Sequence, residues 1–195
     1  MECPECLSFR NESNQIKNIP DHNNRIVHGF GDINSNIAFI GEGPGRLGAA
    51  VTGIPFTKDY SGQVIQKALV ELGFSDNNLN NINKIFIPEK SSLKCFLTNL
   101  FRCYNYKILQ KKNERDIRLY NYRNHCLNSH LSSEVTKLEN LKRVAVIGDK
   151  TKQYTWDIFE RNSYQIKLLT HPAKYKYKRM TIDQAVKEVV SQFNN

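Results

Sequence analysis

The sequence predicts an α/β fold: a three-layer α/β/α sandwich around a central four-stranded parallel sheet. Two observations carry this. Four short apolar runs, most ending in a glycine or turn signal, alternate with helical patterns. The 195 residues also suit one domain, 1–195, long enough to bury a core without staples.

The elements follow in order. Ile37-Ala38-Phe39-Ile40 is a buried strand running into the tight turn Gly41-Glu42-Gly43-Pro44-Gly45. Ser61-Gly62 opens a helix with Val64, Ile65, Ala68, Leu69 and Leu72 on one face, closed by Gly73. The Asn-rich stretch Ser75 to Asn83 is a polar loop. Cys95-Phe96-Leu97-Thr98 is the second strand, Leu119 to Leu138 a helix, and Val144 to Asp149 the third strand, ended by Gly148. Ile166 to Thr170 is the fourth, running into His171-Pro172. Thr181 to Phe193 is an amphipathic helix with Ile182, Ala185, Val186, Val189 and Val190 inward. Strands separated by helices pair in parallel with both faces covered, and the site of such a sheet lies at the strands' carboxyl ends. Glu42 to Gly45, Asn99 and His171 fall there.

Composition narrows the function classes. No run approaches the ~20 apolar residues of a membrane span. The start Met1-Glu2-Cys3-Pro4-Glu5-Cys6 has neither the basic nor the apolar part of a secretory signal, so a cytoplasmic protein is expected. Lys and Arg number 28 against 19 Asp and Glu, a net charge of +9 that makes a polyanion a plausible partner.

The five cysteines face a reducing compartment on this reading. Cys3 and Cys6 form a C-x-x-C, and Cys103 and Cys126 bracket a basic stretch. A thioredoxin-type pair needs a preceding strand and a following helix, which residue 3 lacks. Two readings remain: unrelated reduced thiols, or a four-thiolate site from Cys3, Cys6, Cys103 and Cys126. Such a site suits either a [4Fe–4S] cluster or zinc, and the spacing does not decide between them. Cys95 reads as a small core residue.

Six segments occur in order: Cys3-x-x-Cys6, Gly41-Glu42-Gly43-Pro44-Gly45, Gly53-Ile54-Pro55-Phe56, Thr98-Asn99-Leu100-Phe101-Arg102-Cys103, Cys126, and His171-Pro172-Ala173. Together they resemble the iron–sulfur, family 4 uracil-DNA glycosylases of the uracil-DNA glycosylase superfamily, and they span nearly the whole chain. Two departures bear on substrate range. The segment Thr52-Gly53-x-x-Phe56-Thr57-x-Asp59-x-Ser61-Gly62 looks more like the family 5 glycosylases, whose substrates are broader. The stretch between Cys103 and Cys126 is longer than usual and lacks the customary R-P-P.

The resemblance implies a DNA glycosylase that excises uracil, with a [4Fe–4S] cluster on the four cysteines and DNA as partner. The expected protein is a monomer located at the nucleoid. Cleavage of the N-glycosidic bond requires that the nucleotide leave the stack, that its base be held, and that charge on the departing base be stabilised. Phe56 would stack on the base. Asn99 carries a donor and an acceptor on one amide, which suits the O4/N3 edge of uracil and rejects cytosine. His171, held extended by Pro172, would donate to uracil O2. Glu42 would place the water, and the backbone of Gly43 would line the base pocket. The water-activating Asp of well-studied relatives falls at Gly43 and is absent here. Gly45 leaves room for the phosphate backbone and offers peptide N–H groups.

Lys174-Tyr175-Lys176-Tyr177-Lys178-Arg179 interleaves cations with aromatics, as a phosphate-gripping loop would. By position the superfamily's wedge residue, which fills the hole left by the flipped base, corresponds to Tyr175. Two other readings compete with uracil excision. One is a non-catalytic DNA-binding member of the fold, motivated by Gly43; the other is a broader glycosylase acting on hypoxanthine or xanthine.

Overall fold

The computed structural model describes residues 26–76, 92–104 and 117–195, with only the backbone of 117–119. The strands are β1 (Phe30–Gly31), β2 (Ile37–Gly41), β3 (Phe96–Asn99), β4 (Arg143–Ile147) and β5 (Gln165–Leu169). They form one sheet in the order β1-β3-β2-β4-β5. β2, β3, β4 and β5 are parallel, and β1 joins β3 antiparallel. The α/β architecture is therefore as the sequence predicts, with one more strand. Two residues are too few to show a period of 2, so β1 leaves no signal in the sequence.

The helices are α1 (Ala49–Thr52), α2 (Tyr60–Glu71), α3 (Ile117–His125), α4 (Ser132–Val135), α5 (Asp149–Arg161), α6 (Ala173–Tyr177) and α7 (Ile182–Asn194). The helix expected over 119–138 is interrupted. Between α3 and α4, residues Cys126–Leu131 adopt the wider π-helical winding, which turns Cys126 and Leu131 inward.

Alternation along the strands divides the core into two layers. Ala38, Ile40, Val144 and Val146 face the side of α4 and α5, packing with Val135 and Phe159. Ile37, Phe39, Ala145 and Ile147 face α2 and α7, packing with Val64, Ile65, Val186 and Val189. Successive side chains point to opposite faces, so strands buried on both sides need continuous apolar runs. Cys95 belongs to the second layer and is fully buried, as a core residue should be. Burial pushes its thiol pKa up to about 12.

Two helix starts are capped by side chains. Asp59 accepts the N–H of Gly62 at 2.8 Å and opens α2. Thr181 forms a reciprocal capping box with Gln184 and opens α7. A Lys67–Asp183 ion pair of 2.7 Å joins these two helices at the surface. On the other face a buried ion pair, Arg102 Nη2 to Glu134 Oε1 at 2.6 Å, ties the chain after β3 to α4. Glu134 also accepts from Thr98 Oγ1 and from the N–H of Gly29, so its lone pairs are well used.

The register puts the functional strand ends side by side. Gly41, the last residue of β2, is the Cα partner of Asn99, the last residue of β3. Beyond them the N–H groups of Leu100 and Phe101 donate to the carbonyls of Gly41 and Glu42, both at 2.9 Å. On the other flank, Ile147 of β4 pairs with Leu169 of β5, and His171 follows two residues on.

Candidate active site

One cavity of about 160 Å³ opens at these carboxyl ends. That is about five times a water molecule's share of liquid volume, the scale of one small heterocycle. It brings together Glu42, Gly43, Gly45, Phe56, Asn99 and His171 from four separate segments. All six are residues that the sequence singles out.

Identifiable contacts hold Phe56 and His171. Phe56 has φ +53, in the left-handed region that a bulky residue rarely adopts. Its carbonyl accepts from Nε2 of the buried Gln66 at 3.0 Å, which holds the bend. Thr57 next to it is buried and bonded to Thr52 Oγ1 at 2.5 Å and to the Ile54 carbonyl at 2.8 Å. Backbone strain of this kind persists where surrounding structure enforces it, typically at binding sites. Gly41 lets Phe56 and Asn99 approach each other. A Cβ there would lie 2.9 Å from the Phe56 ring and 2.6 Å from Asn99 Oδ1.

Asn99 is 3% exposed, and its Nδ2 is buried without a hydrogen-bond partner. A buried donor left unpaired costs about 1–3 kcal/mol. Its place in the pocket wall gives that donor a use: it can meet an acceptor on a bound ring.

His171 lies between β5 and α6. Its Nδ1 accepts the backbone N–H of Ala173 at 3.2 Å, and its carbonyl accepts from Lys174 at 2.9 Å. A neutral imidazole with Nδ1 accepting carries its proton on Nε2, the other ring nitrogen. Gly148 makes room behind it. It has φ +91, and a Cβ at that position would lie 3.1 Å from His171 Cβ.

The pocket also contains a second carboxylate, which the sequence reading mentions only within a longer segment. Asp59 lines it beside Ser61 and Gly62. Its Oδ1 caps α2, and its Oδ2 lies against Gly45 and Gly48, where an added Cβ would come within 2.1 and 2.4 Å. The signal for the cap was present, since an Asp just before a helical pattern is a start signal. Only the fold shows that this cap also walls the pocket.

The basic segment after His171 differs from the expected loop. Residues Ala173–Tyr177 form α6. Lys174 pairs with Asp149 at 2.5 Å on the surface, and the Lys176 ammonium lies 5.9 Å from the Tyr60 ring centroid. Tyr175 is 3% exposed and packs into the α2–α7 layer, where its hydroxyl accepts from Gln192 Nε2 at 2.9 Å. This corrects the expectation of Tyr175 as a wedge: a side chain anchored in the core does not reach into a duplex. The exposed aromatic of the helix is Tyr177.

Of the four proposed thiolates, Cys3 and Cys6 lie outside the described residues. Cys103 and Cys126 are both fully buried in the same layer of the core. Cys103 Sγ is 2.5 Å from the Tyr122 hydroxyl. Among the described residues, no group of three or more metal-ligating side chains occurs. No described helix is long and apolar enough to cross a membrane.

A search of curated proteins finds no match to the chain. The sequence model of the uracil DNA glycosylase superfamily, by contrast, matches residues 28–194, which include every strand of the sheet and every described wall of the pocket. On that match, carried by a sheet whose strand ends hold Asn99 and His171 around one base-sized cavity, the chain belongs to the uracil DNA glycosylase superfamily.

Proposed function

We propose that this protein excises uracil from DNA by hydrolysing the N-glycosidic bond of a flipped-out deoxyuridine, leaving an abasic site. Superfamily membership supports a DNA glycosylase and DNA as the substrate. The observation that carries uracil is the orphaned donor of Asn99. The O4 of uracil is an acceptor, whereas the exocyclic N4 of cytosine is a donor and would face Asn99 Nδ2 donor to donor.

The steps follow from the side chains. The base enters against Phe56, with Asn99 Nδ2 donating to O4. Water adds to the sugar C1′ as the C1′–N1 bond breaks, and the bonding pair leaves with the base. The charge that develops on O2 meets Nε2–H of His171, the proton position that goes with Nδ1 accepting from Ala173. The proton lost from the water is taken up by solvent or by a pocket carboxylate. Glu42 positions that water, and Asp59 adds a second negative charge near the developing oxocarbenium ion.

Four thiolates from Cys3, Cys6, Cys103 and Cys126 would hold a [4Fe–4S] cluster. The burial of Cys103 and Cys126 in one core layer suits that donor set. Bound there, the cluster would clip separate segments together, with no redox step in the hydrolysis. Brown colour and iron with sulfide in the purified protein are expected; a colourless protein with zinc or no metal would oppose it.

Gly43 and Gly45 favour a second, broader reading. They place no side chain over the ring, and hypoxanthine presents the same acceptor–donor edge as uracil. Incubation with uracil-containing and hypoxanthine-containing oligonucleotides, followed by alkali, tests both. Scission at uracil alone is the expected result, and intact uracil strands would overturn the proposal.

A further inference from the structure

β5 lies at the edge of the sheet, and its pairing with β4 ends at Leu169. Thr170, the next residue, is past the ladder, so its backbone N–H needs another acceptor. It donates to Gln192 Oε1 of α7 at 2.8 Å. The other end of the same amide is used as well: Nε2 donates to the Tyr175 hydroxyl of α6 at 2.9 Å. A backbone N–H can only donate, so it fixes which end of this amide is oxygen and which is nitrogen.

Gln192 follows the buried Ala185 and Val189 by seven and three residues, so it extends the inward side of α7. A polar side chain placed there needs partners, and both of its polar atoms have them. Tyr175 is itself anchored in the α2–α7 layer. One amide therefore holds residues 170 and 175, and His171 lies between them. Inside that span the Ala173 N–H donates to His171 Nδ1 at 3.2 Å, and the Tyr175 N–H donates to the Pro172 carbonyl at 3.0 Å. A six-residue span tied at both ends to one helix leaves the turn little freedom to shift.

We propose that Gln192 is a positioning residue for His171. By tying Thr170 and Tyr175 to α7, it holds the turn in which Ala173 donates to Nδ1, and a neutral ring so held carries its proton on Nε2. Gln192 is not among the residues that line the cavity, so it acts through the turn and not on substrate. A catalytic group displaced by about 1 Å through a remote change can lose about 10²-fold in rate. The proposal rests on the glycosylase reading and deepens it, by naming what keeps the donor to the departing base in place.

The test compares Gln192→Leu, Gln192→Glu and Tyr175→Phe with the unaltered protein. Leu has nearly the size of Gln but neither hydrogen-bonding atom. Glu keeps an acceptor for Thr170, and its second oxygen can accept from the Tyr175 hydroxyl, which donates as readily as it accepts. Two readouts are used. The first is the ¹⁵N spectrum of the His171 ring in the free protein at about pH 8.5, about two units above the ordinary histidine pKa, where the tautomer is visible. The second is single-turnover uracil release at saturating protein. The unaltered protein and Gln192→Glu are expected to show the Nε2–H tautomer and rates within about threefold of each other. Gln192→Leu is expected to show mixed tautomers and a rate about 10- to 100-fold lower, with the half-saturating protein concentration within about twofold. Tyr175→Phe is expected to change in the same direction by a smaller factor, and it decides the matter should Gln192→Leu fail to fold. A variant that melts lower yet keeps both the tautomer and the rate would overturn the proposal, as would an Nδ1–H tautomer in the unaltered protein. Absence of uracil release by the unaltered protein would overturn the glycosylase reading instead, while the tautomer comparison still decides whether Gln192 positions His171.

Discussion

His171 Nδ1 accepts the backbone N–H of Ala173 at 3.2 Å, so the turn into α6 sets the tautomer of the pocket's only imidazole among the described residues. With Nδ1 accepting, a neutral ring carries its proton on Nε2, the donor proposed to meet the base. Removing one such preorganised donor costs about 10²–10³ in rate. His171→Ala should therefore slow single-turnover uracil release by that factor while leaving binding of an abasic-analogue duplex within a fewfold. Equal losses in rate and binding would mean that His171 only helps to hold DNA.

Asn99 has a different signature. Its Nδ2 is buried and unpaired before substrate arrives, so the free protein gains nothing from that donor. Asn99→Ala should leave the melting temperature within a degree or two of the unaltered protein. Uracil release should fall about 10- to 100-fold, the worth of about 1–3 kcal/mol. A large drop in melting temperature would place Asn99 in the fold's stability instead.

Asp59 separates capping from charge. Asn caps a helix about as well as Asp, whereas loss of the cap costs about 1 kcal/mol. Asp59→Asn should melt near the unaltered protein, and Asp59→Ala about 2–4 °C lower. If the negative charge assists the reaction, Asp59→Asn should still lose about tenfold in rate. Calorimetry beside single-turnover kinetics reads both.

Cys95 supplies a check on the core. With its thiol pushed up to about 12, almost none is thiolate at pH 8. Iodoacetamide should leave Cys95 unmodified in the native protein and alkylate it after unfolding, as followed by peptide mass. Rapid native labelling would contradict its placement in the α2–α7 layer.

The parallel sheet was legible in the sequence because its strands are buried on both faces and so are written as unbroken apolar runs, such as Val144 to Ile147. The pocket residues were legible because turn and strand-end residues, Gly41 to Gly45, Asn99 and His171-Pro172, sit where such a sheet exposes its carboxyl edge. Tyr175 was misplaced for an equally physical reason. In Lys174-Tyr175-Lys176-Tyr177-Lys178 the two tyrosines have nearly identical neighbours. Only a helical winding, which sets them about 200° apart, sends one into the core and the other to solvent. The π-helical turn at Cys126–Leu131 was hidden likewise, since its inward residues lie five apart and mimic no regular period. Asp59's role in the pocket depends on Gly45 and Gly48 folding back over it, a contact that no local pattern reports.

On the proposed function, this pocket releases uracil from DNA. Its most direct measurement is the incubation of excess protein with a labelled oligonucleotide containing one deoxyuridine, followed by alkali and electrophoresis. Scission at the uracil position, with free uracil released and the strand intact until alkali is added, is the predicted result. A strand that survives alkali, while the protein still binds DNA in a salt-dependent way, would contradict the claim and leave a DNA-binding member of the fold without the hydrolysis.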